Sequence, residues 1–240
     1  MKKYICLFLA IAINVIDLRS QESLFTQLAG KIDLVVDKSG TGNYAKVQDA
    51  ISAVTNNSSS RTVIFIKNGV YKEKIYVPST KRNLTIIGEN TDSTILTYDD
   101  YAAKVVDGSE LGTFKSESFR VDADDFRAIN VTFENSYGEG YQAVALFTSG
   151  DRQVFLHCRL IGWQDTYYTD SWQRNYLKDC YIEGAVDYIF GRTTVIFDSC
   201  RIHTARSGGY ITAASTEQGY KFGYVFLNCT LTTPANVSGV

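Results

Sequence analysis

A short apolar motif recurs along the second half of the chain, and its repetition limits the folds that the chain can adopt. The motif is an apolar residue, two variable positions, Cys, one variable position and then Leu or Ile, and it occurs around Cys158, Cys180, Cys200 and Cys229. The segment FRAINV fits the same pattern with Ile129 in the cysteine position, so the five copies are 29, 22, 20 and 29 residues apart. A strand motif that returns at intervals of about 20 to 30 residues is typical of a solenoid.

The repeat predicts an all-β protein, specifically a right-handed parallel β-helix. Apolar positions alternate within each copy, as strands with one buried face require. Gly and Asn mark the turns between copies, and the whole chain has only two Pro. A short N-terminal capping helix is expected over KVQDAISAV, residues 46–54, where it would cover an open apolar end. A β-sandwich is the alternative, although it does not require one motif to recur in register.

The N-terminal segment and the overall charge bear on location and partners. Lys2 and Lys3 precede an apolar run from Tyr4 to about Ile16, which predicts a signal peptide over residues 1–20 and a secreted or periplasmic protein. An uncleaved anchor is the alternative. After signal cleavage no membrane association is expected. A formal net charge of −2 gives no electrostatic attraction to nucleic acid.

Two Asp residues occupy equivalent positions in consecutive repeats. Aligning the copies at Cys158 and Cys180 places Asp165 on Asp187. Adjacent strands lie about 4.8 Å apart, so the two carboxyl groups should be neighbours and their pKa values should separate. One protonated and one ionised carboxyl could serve as acid and nucleophile. Two Asx turns at equivalent corners are an equally good interpretation at this point.

Two Gln residues favour the catalytic interpretation. Gln142 lies 22 residues before Gln164, the interval that also separates Asp165 from Asp187. The Gly-rich segment at residues 137–141 can absorb the extra length of this repeat. Two amides beside two carboxyls would supply neutral N–H donors where negative charge develops. A Gln ladder that only stabilises the solenoid is the alternative.

Ten ordered motifs from about residue 33 to the end resemble those of the pectin methylesterase family. They are SGTGNYAKVQDAI (39–51), NGVYKEKI (68–75), LTIIGEN (84–90), GTFKSESFRV (112–121), VTFENS (131–136), YQAVAL (141–146), SGDR (149–152), GWQDTYY (162–168), DCYIEGAVDYIFG (179–191) and GYITAAS (209–215). The resemblance implies a parallel β-helix enzyme that removes methyl esters from polygalacturonate, the backbone of pectin. It implies no cofactor, and we expect a monomer.

The resemblance also implies roles for individual residues. Asp187 would attack the ester carbonyl, and Asp165 would act as the acid and then the base. Gln142 and Gln164 would bind the developing oxyanion. The residues that would line the sugar groove are Thr113, Gln142, Tyr168, Val186 and Phe190.

Two features depart from the family pattern. Tyr167 stands where the family has Leu, and we expect this change to be tolerated because that side chain points away from the Asp. The family's Leu-Gly-Arg-Pro-Trp motif does not occur, and Arg192, Arg201 and Arg206 lie in other contexts. The catalytic domain at residues 31–240 is therefore expected to be C-terminally incomplete. An inactive fragment or a non-catalytic pectin-binding β-helix is the alternative to an active esterase.

Other chemistries have weaker support in the sequence. A serine hydrolase would carry a G-x-S-x-G elbow, which does not occur. A calcium-dependent lyase could use the acidic residues at 122–125 or at 99–100, although these pairs are more typical of turns before strands. No metal site is expected, because the chain has no C-x-x-C pair and only two His.

The four cysteines of the repeat could be linked or free. Equivalent Cα atoms on stacked strands lie within the range that a disulfide accepts, and export permits oxidation. The sequence therefore predicts a possible disulfide between Cys180 and Cys200, which are the closest pair in the sequence. A buried row of free thiols is the alternative.

Overall fold

The computed structural model describes residues 31–237 and confirms the predicted parallel β-helix. The chain winds through three parallel sheets, and one turn through all three is called a rung below. The first sheet has eight strands, which are β1 (Leu34–Val36), β2 (Thr62–Ile66), β5 (Leu84–Gly88), β10 (Arg127–Ile129), β13 (Gln153–Leu156), β16 (Arg174–Lys178), β19 (Thr194–Asp198) and β22 (Tyr224–Leu227).

The second and third sheets complete each rung. The second sheet contains β3 (Gly69–Lys72), β6 (Thr94–Tyr98), β11 (Thr132–Asn135), β14 (Arg159–Ile161), β17 (Tyr181–Gly184), β20 (Arg201–Thr204) and β23 (Thr230–Thr232). The third sheet contains β4 (Ile75–Val77), β9 (Phe119–Val121), β12 (Leu146–Thr148), β15 (Tyr167–Thr169), β18 (Ile189–Gly191) and β21 (Thr212–Ala214). A small antiparallel ribbon, β7 (Val105–Val106) and β8 (Ser109–Glu110), projects from one rung.

The core consists of rows of side chains that point inward at the same position of successive rungs. In the first sheet, Phe155, Leu177 and Phe197 are paired in register and fully buried. In the second sheet, Leu160 and Ile182 form an equivalent row. Because side chains alternate between the two faces of a strand, every second residue along each strand points inward, and these are the residues that must be apolar to form the rows.

The first copy of the motif pairs differently from the prediction. The motif aligns Ile129 with Cys158, whereas the structure pairs Ile129 with Leu156 and Thr132 with Arg159, so that Val131 takes the position equivalent to Cys158. The repeat at this point is therefore two residues shorter than predicted. The shift puts Val131 into the inward row with Cys158 and takes Ile129 out of it, because Asn130 and His157, both with positive φ, turn the chain at this corner and interrupt the alternation.

The predicted helix forms over Val47–Ala53. Its residues Val47, Ala50 and Ile51 are buried, and its first turn is capped by a side chain from a later strand connection. The carboxylate of Glu73 accepts hydrogen bonds from the backbone N–H groups of Val47 and Gln48 at 3.0 and 3.1 Å. No helix within residues 31–237 has the length and apolar character needed to cross a membrane. The predicted signal peptide lies outside the described residues.

The predicted disulfide between Cys180 and Cys200 is not formed. Both residues are free and buried, and so is Cys158. The thiol of Cys180 donates to the carbonyl of Phe155 at 3.5 Å, and that of Cys200 donates to the carbonyl of Leu177 at 3.6 Å. Each sulfur thus faces the backbone of the preceding rung. The strand spacing of about 4.8 Å would permit a disulfide between equivalent residues, but each thiol is directed at a backbone carbonyl instead.

Candidate active site

Two Asp residues meet at the corner between the second and third sheets. Asp165 precedes β15 and Asp187 precedes β18, and the backbone N–H of Asp165 donates to the carbonyl of Val186 at 3.1 Å. A parallel bridge between Gln164 and Val186 sets the register, so the two Asp occupy the same position on neighbouring rungs. Both residues have positive φ, 67° and 49° respectively. Asp tolerates this left-handed conformation better than most residues, which helps the chain turn the corner.

The two carboxyl groups have different environments. Asp165 is only 7% exposed, whereas Asp187 is half-buried. Burial and then the nearby Asp187 carboxylate raise the pKa of Asp165 to about 7. A carboxyl with this pKa is protonated in a large fraction of molecules near neutral pH, so it can donate a proton. The repeat does not predict the burial of Asp165, which is a finding of the structure.

The two Gln residues lie beside this corner. The backbone N–H of Ala143 donates to the carbonyl of Gln164 at 3.1 Å, which puts Gln142 and Gln164 on neighbouring rungs at equivalent positions. Both side chains are half-buried. The rungs therefore bring two amides and two carboxyls to one edge of the β-helix, in the order that the sequence predicts.

Aromatic side chains follow the corner on the outer face of the third sheet. Tyr168 pairs in register with Phe190, and their ring centroids are 4.7 Å apart. Phe114, which is in the 3-10 helix Thr113–Lys115, packs on Tyr168 at 4.8 Å. Tyr168 is itself buried, so the more exposed rings of Phe114 and Phe190 form the accessible surface. Val186 is half-buried at the corner, where it directly precedes Asp187 and is paired with Gln164.

A family model described as Pectinesterase matches residues 33–239. The chain belongs to the pectinesterase family. It is 44% identical to Pectinesterase 31 of Arabidopsis thaliana over 204 residues, covering 82% of this chain and 64% of the relative. The structure resembles a pectin methylesterase from carrot with a TM-score of 0.79 and 34% identity, over 84% of this chain and 63% of the carrot chain.

A second solved pectin methylesterase was determined in complex with a hexasaccharide. The similarity has a TM-score of 0.79 and 33% identity, and covers 85% of this chain and 67% of the other. The chain thus spans somewhat less than two thirds of the length of Pectinesterase 31 and of the carrot enzyme.

Sequence reasoning missed a cleft next to the Gln residues of this pectinesterase-family chain. The cleft has a volume of about 240 Å³ and is lined by Glu139, Gly140, Trp163, Gln164, Ala185, Val186 and Arg206. Nε of Arg206 lies 2.5 Å from Oε1 of Glu139, as an ion pair whose geometry is not that of an aligned hydrogen bond. Trp163 directly precedes Gln164 and could have been found from that position. Glu139 and Arg206 lie in separate loops, and nothing in their local sequence predicts that they meet.

Tyr167, the residue that departs from the family pattern, lies in the core. It is fully buried, and its hydroxyl accepts a hydrogen bond from Nδ2 of Asn175 at 3.0 Å. Its neighbours along the chain, Thr166 and Tyr168, alternate in direction with it, so the ring is directed away from the outer face that carries Tyr168. The buried hydroxyl therefore has a partner and is compatible with the fold.

The acidic pairs considered as calcium ligands form ion pairs with Lys and Arg side chains. Asp122 pairs with Arg120 at 2.9 Å, and Asp125 pairs with Arg152 at 2.7 Å. Asp100 contacts Lys74 at 2.7 Å and Lys104 at 2.6 Å, and Asp99 contacts Lys72 at 2.7 Å. Within residues 31–237, no group of three or more His, Cys, Asp or Glu is arranged to hold a metal ion.

Proposed function

We propose that this protein is a pectinesterase, a carboxylic ester hydrolase that converts methyl esters of polygalacturonate to free carboxylates and methanol. The observation that carries the proposal is the pair Asp165 and Asp187, stacked on neighbouring rungs with the pKa of Asp165 raised to about 7. Membership of the pectinesterase family and the similarity to a pectin methylesterase in complex with a hexasaccharide support the same substrate class.

In the proposed first step, a carboxylate oxygen of Asp187 attacks the carbonyl carbon of the methyl ester. The resulting tetrahedral intermediate carries negative charge on the former carbonyl oxygen. The amide N–H groups of Gln142 and Gln164 donate to this oxygen and lower the barrier. The bond to the methoxy oxygen then breaks, and Asp165 transfers its proton to the departing methanol. The product is an acyl-enzyme in which the galacturonyl group is attached to Asp187 as an anhydride.

In the proposed second step, water cleaves this anhydride. Asp165 is now ionised and accepts a proton as the water oxygen attacks the acyl carbon. The bond to Asp187 breaks, which releases a free galacturonate carboxyl and restores the ionised nucleophile and the protonated acid. The cycle uses only protein groups and water, so the proposal requires no cofactor.

Thr113, Gln142, Tyr168, Val186 and Phe190 are the proposed substrate-binding residues. The exposed ring of Phe114 and the half-buried ring of Phe190 offer flat apolar surfaces, which suit the faces of sugar rings. We further propose that residues 1–20 are a signal peptide and that the mature protein is secreted or periplasmic, where it would meet pectin outside the cell. A monomer remains the expected state.

The test is the release of methanol from methyl-esterified polygalacturonate by the purified protein. We expect release well above that of the Asp187→Ala variant, with a matching increase in free carboxyl groups. Equal rates for the two proteins would contradict the esterase assignment. Pectin binding by the unmodified protein without any release of methanol would favour the non-catalytic pectin-binding alternative.

A further inference from the structure

Three Tyr residues are stacked next to the candidate active site and have no role in the proposed reaction. The ring centroids of Tyr101 and Tyr137 are 4.1 Å apart with an interplanar angle of 22°. Tyr141 stacks on Tyr101 at 5.8 Å and 24°. Tyr141 is 49% exposed, although a ring of this size usually buries more of its surface. These three residues are called the tyrosine platform below.

The loop that carries two of the rings is built for this stacking. It runs through SYGEGY, residues 136–141, and provides the extra length of this repeat. Gly138 and Gly140 have φ of 96° and 140°, which other residues rarely adopt. A Cβ atom at Gly140 would also lie 3.0 Å from the hydroxyl of Tyr137. The backbone of this loop therefore depends on both Gly residues.

A buried Asn fixes the loop to its surroundings. Nδ2 of Asn135 donates to the carbonyls of Asp100, Ser116 and Val144 at 2.9, 3.1 and 3.1 Å. Its Oδ1 accepts from the backbone N–H of Tyr137 at 3.0 Å. One side chain thus connects the segment before Tyr101 to the segment that begins at Tyr137. The platform is held in place before any ligand binds, which reduces the entropy cost of binding.

The platform continues the row of proposed active-site residues along the β-helix. Tyr141 directly precedes Gln142, and the carbonyl of Gln142 accepts a hydrogen bond from the N–H of Ala102 at 2.8 Å. Tyr101 therefore lies one rung before Gln142 and two rungs, or about 10 Å, before Asp165. A polysaccharide that follows the axis of the β-helix would pass over both places.

The charges around the platform indicate what it would bind. Glu139 is paired with Arg206, and Asp100 is paired with Lys74 and Lys104. The rings themselves are uncharged. The Lys and Arg side chains here are already engaged by Asp100 and Glu139, so a free galacturonate would have to compete with these carboxylates for a cation, whereas a methyl-esterified residue carries no charge and needs none.

We propose that the tyrosine platform is a second sugar-binding site, which stacks on a methyl-esterified galacturonate residue of the same pectin chain, a few residues away from the ester at Asp187. This inference rests on the proposed function for the identity of the polymer. The platform would make the affinity depend on the length of the pectin chain and on esterification of a sugar residue distant from the reacting ester.

The test measures binding by calorimetry in the Asp187→Asn background, so that no turnover occurs. We expect Tyr141→Ala to weaken binding of a fully methyl-esterified hexagalacturonate about tenfold, and Tyr141→Phe to retain it. A methyl-esterified dimer is too short to reach both places, so we expect its affinity to be unchanged. The unesterified hexamer should bind the parent more weakly and lose less on the Ala substitution.

Trp172→Ala is the matched control. Trp172 is 59% exposed and stacks on Tyr220 at 4.1 Å, but it follows β15 and so lies at the opposite end of that strand from Asp165. We expect this variant to bind the hexamer normally. Circular dichroism would show that each variant is folded.

The outcomes separate the two proposals. Unchanged hexamer binding by Tyr141→Ala, equal weakening by Trp172→Ala, or no hexamer binding by the parent would overturn the platform. Absence of methanol release would overturn the esterase assignment without affecting the binding comparison. With the active protein, Tyr141→Ala should raise KM for pectin about tenfold and leave kcat unchanged.

Discussion

Two corners of the β-helix stack identical side chains on neighbouring rungs, with opposite chemical consequences. At the corner between the first and second sheets, Cys158, Cys180 and Cys200 point into the core as free thiols. At the corner between the second and third sheets, Asp165 and Asp187 are stacked in the same way near the surface. The repeat places like groups side by side in both cases, so repetition alone does not make a site reactive.

The difference lies in access to water and in symmetry. Burial raises the pKa of the Cys180 thiol, and contact with Cys180 together with burial raises that of Cys200, so both stay protonated and inert. The Asp pair is asymmetric, because Asp165 is buried while Asp187 is half-exposed. This asymmetry gives one carboxyl that holds a proton beside one that contacts solvent, which a proton donor and a nucleophile need.

The largest effect should come from removing the nucleophile. We expect Asp187→Asn to lower kcat for methanol release at least about 10⁴-fold, because an amide cannot attack the ester. Cys180→Ala, at the inert corner, should leave kcat unchanged. Near-normal turnover by Asp187→Asn would refute the mechanism and remove the contrast between the two corners.

The buried carboxyl should also affect stability in a pH-dependent way. Asp165 has a folded pKa of about 7 against an ordinary value of 3.8, so its stabilising contribution is present at low pH and is lost as the pH rises through about 7. Asn does not titrate. The free energy of unfolding of Asp165→Asn, relative to that of the natural protein, should therefore increase by on the order of 4 kcal/mol between about pH 4 and pH 7. Above about pH 7 this difference should stay constant.

Urea unfolding at several pH values measures this difference. Asp92→Asn is a suitable control, because the side chain of Asp92 is 75% exposed and its ion pair with Arg159 is at the surface. We expect that control to change stability by no more than about 0.5 kcal/mol. A stability difference for Asp165→Asn that does not vary with pH would mean that the carboxyl is not held protonated.

The amides should contribute less than the carboxyls. We expect Gln142→Ala and Gln164→Ala each to lower kcat roughly 100-fold, since each removes one donor to the oxyanion. KM should change little if the donors act mainly in the transition state. Loss of substrate binding with kcat preserved would instead assign these residues to the groove alone.

The smallest effect should come from the inert corner. Cys180→Ala removes a buried sulfur, so we expect the free energy of unfolding to fall by about 1–2 kcal/mol. Alkylation of unreduced, unfolded protein followed by mass spectrometry should label both Cys180 and Cys200. Detection of a peptide joined through these two residues would restore the disulfide that the sequence suggested and the structure lacks.

Much of the site could be predicted from the repeat. The interval of 22 residues is both the distance from Cys158 to Cys180 and the distance from Asp165 to Asp187, so one alignment predicted both corners. The alignment was wrong by two residues at Ile129, where the structure pairs Ile129 with Leu156. Alternation fixes the face of a side chain only along one strand, and the corner residues Asn130 and His157, which have positive φ, interrupt it.

The sequence by itself determined the sheet structure, the inward rows and the pairing of Asp165 with Asp187, because a parallel β-helix brings residues one repeat apart into contact. Only the tertiary structure decided features that depend on loops of unequal length. These include the burial of Asp165, the ion pair between Glu139 and Arg206, and the stacking of Tyr101 on Tyr137 and Tyr141. Such loops leave the repeat, and their contacts are set by packing and hydrogen bonds between distant segments, which no local pattern records.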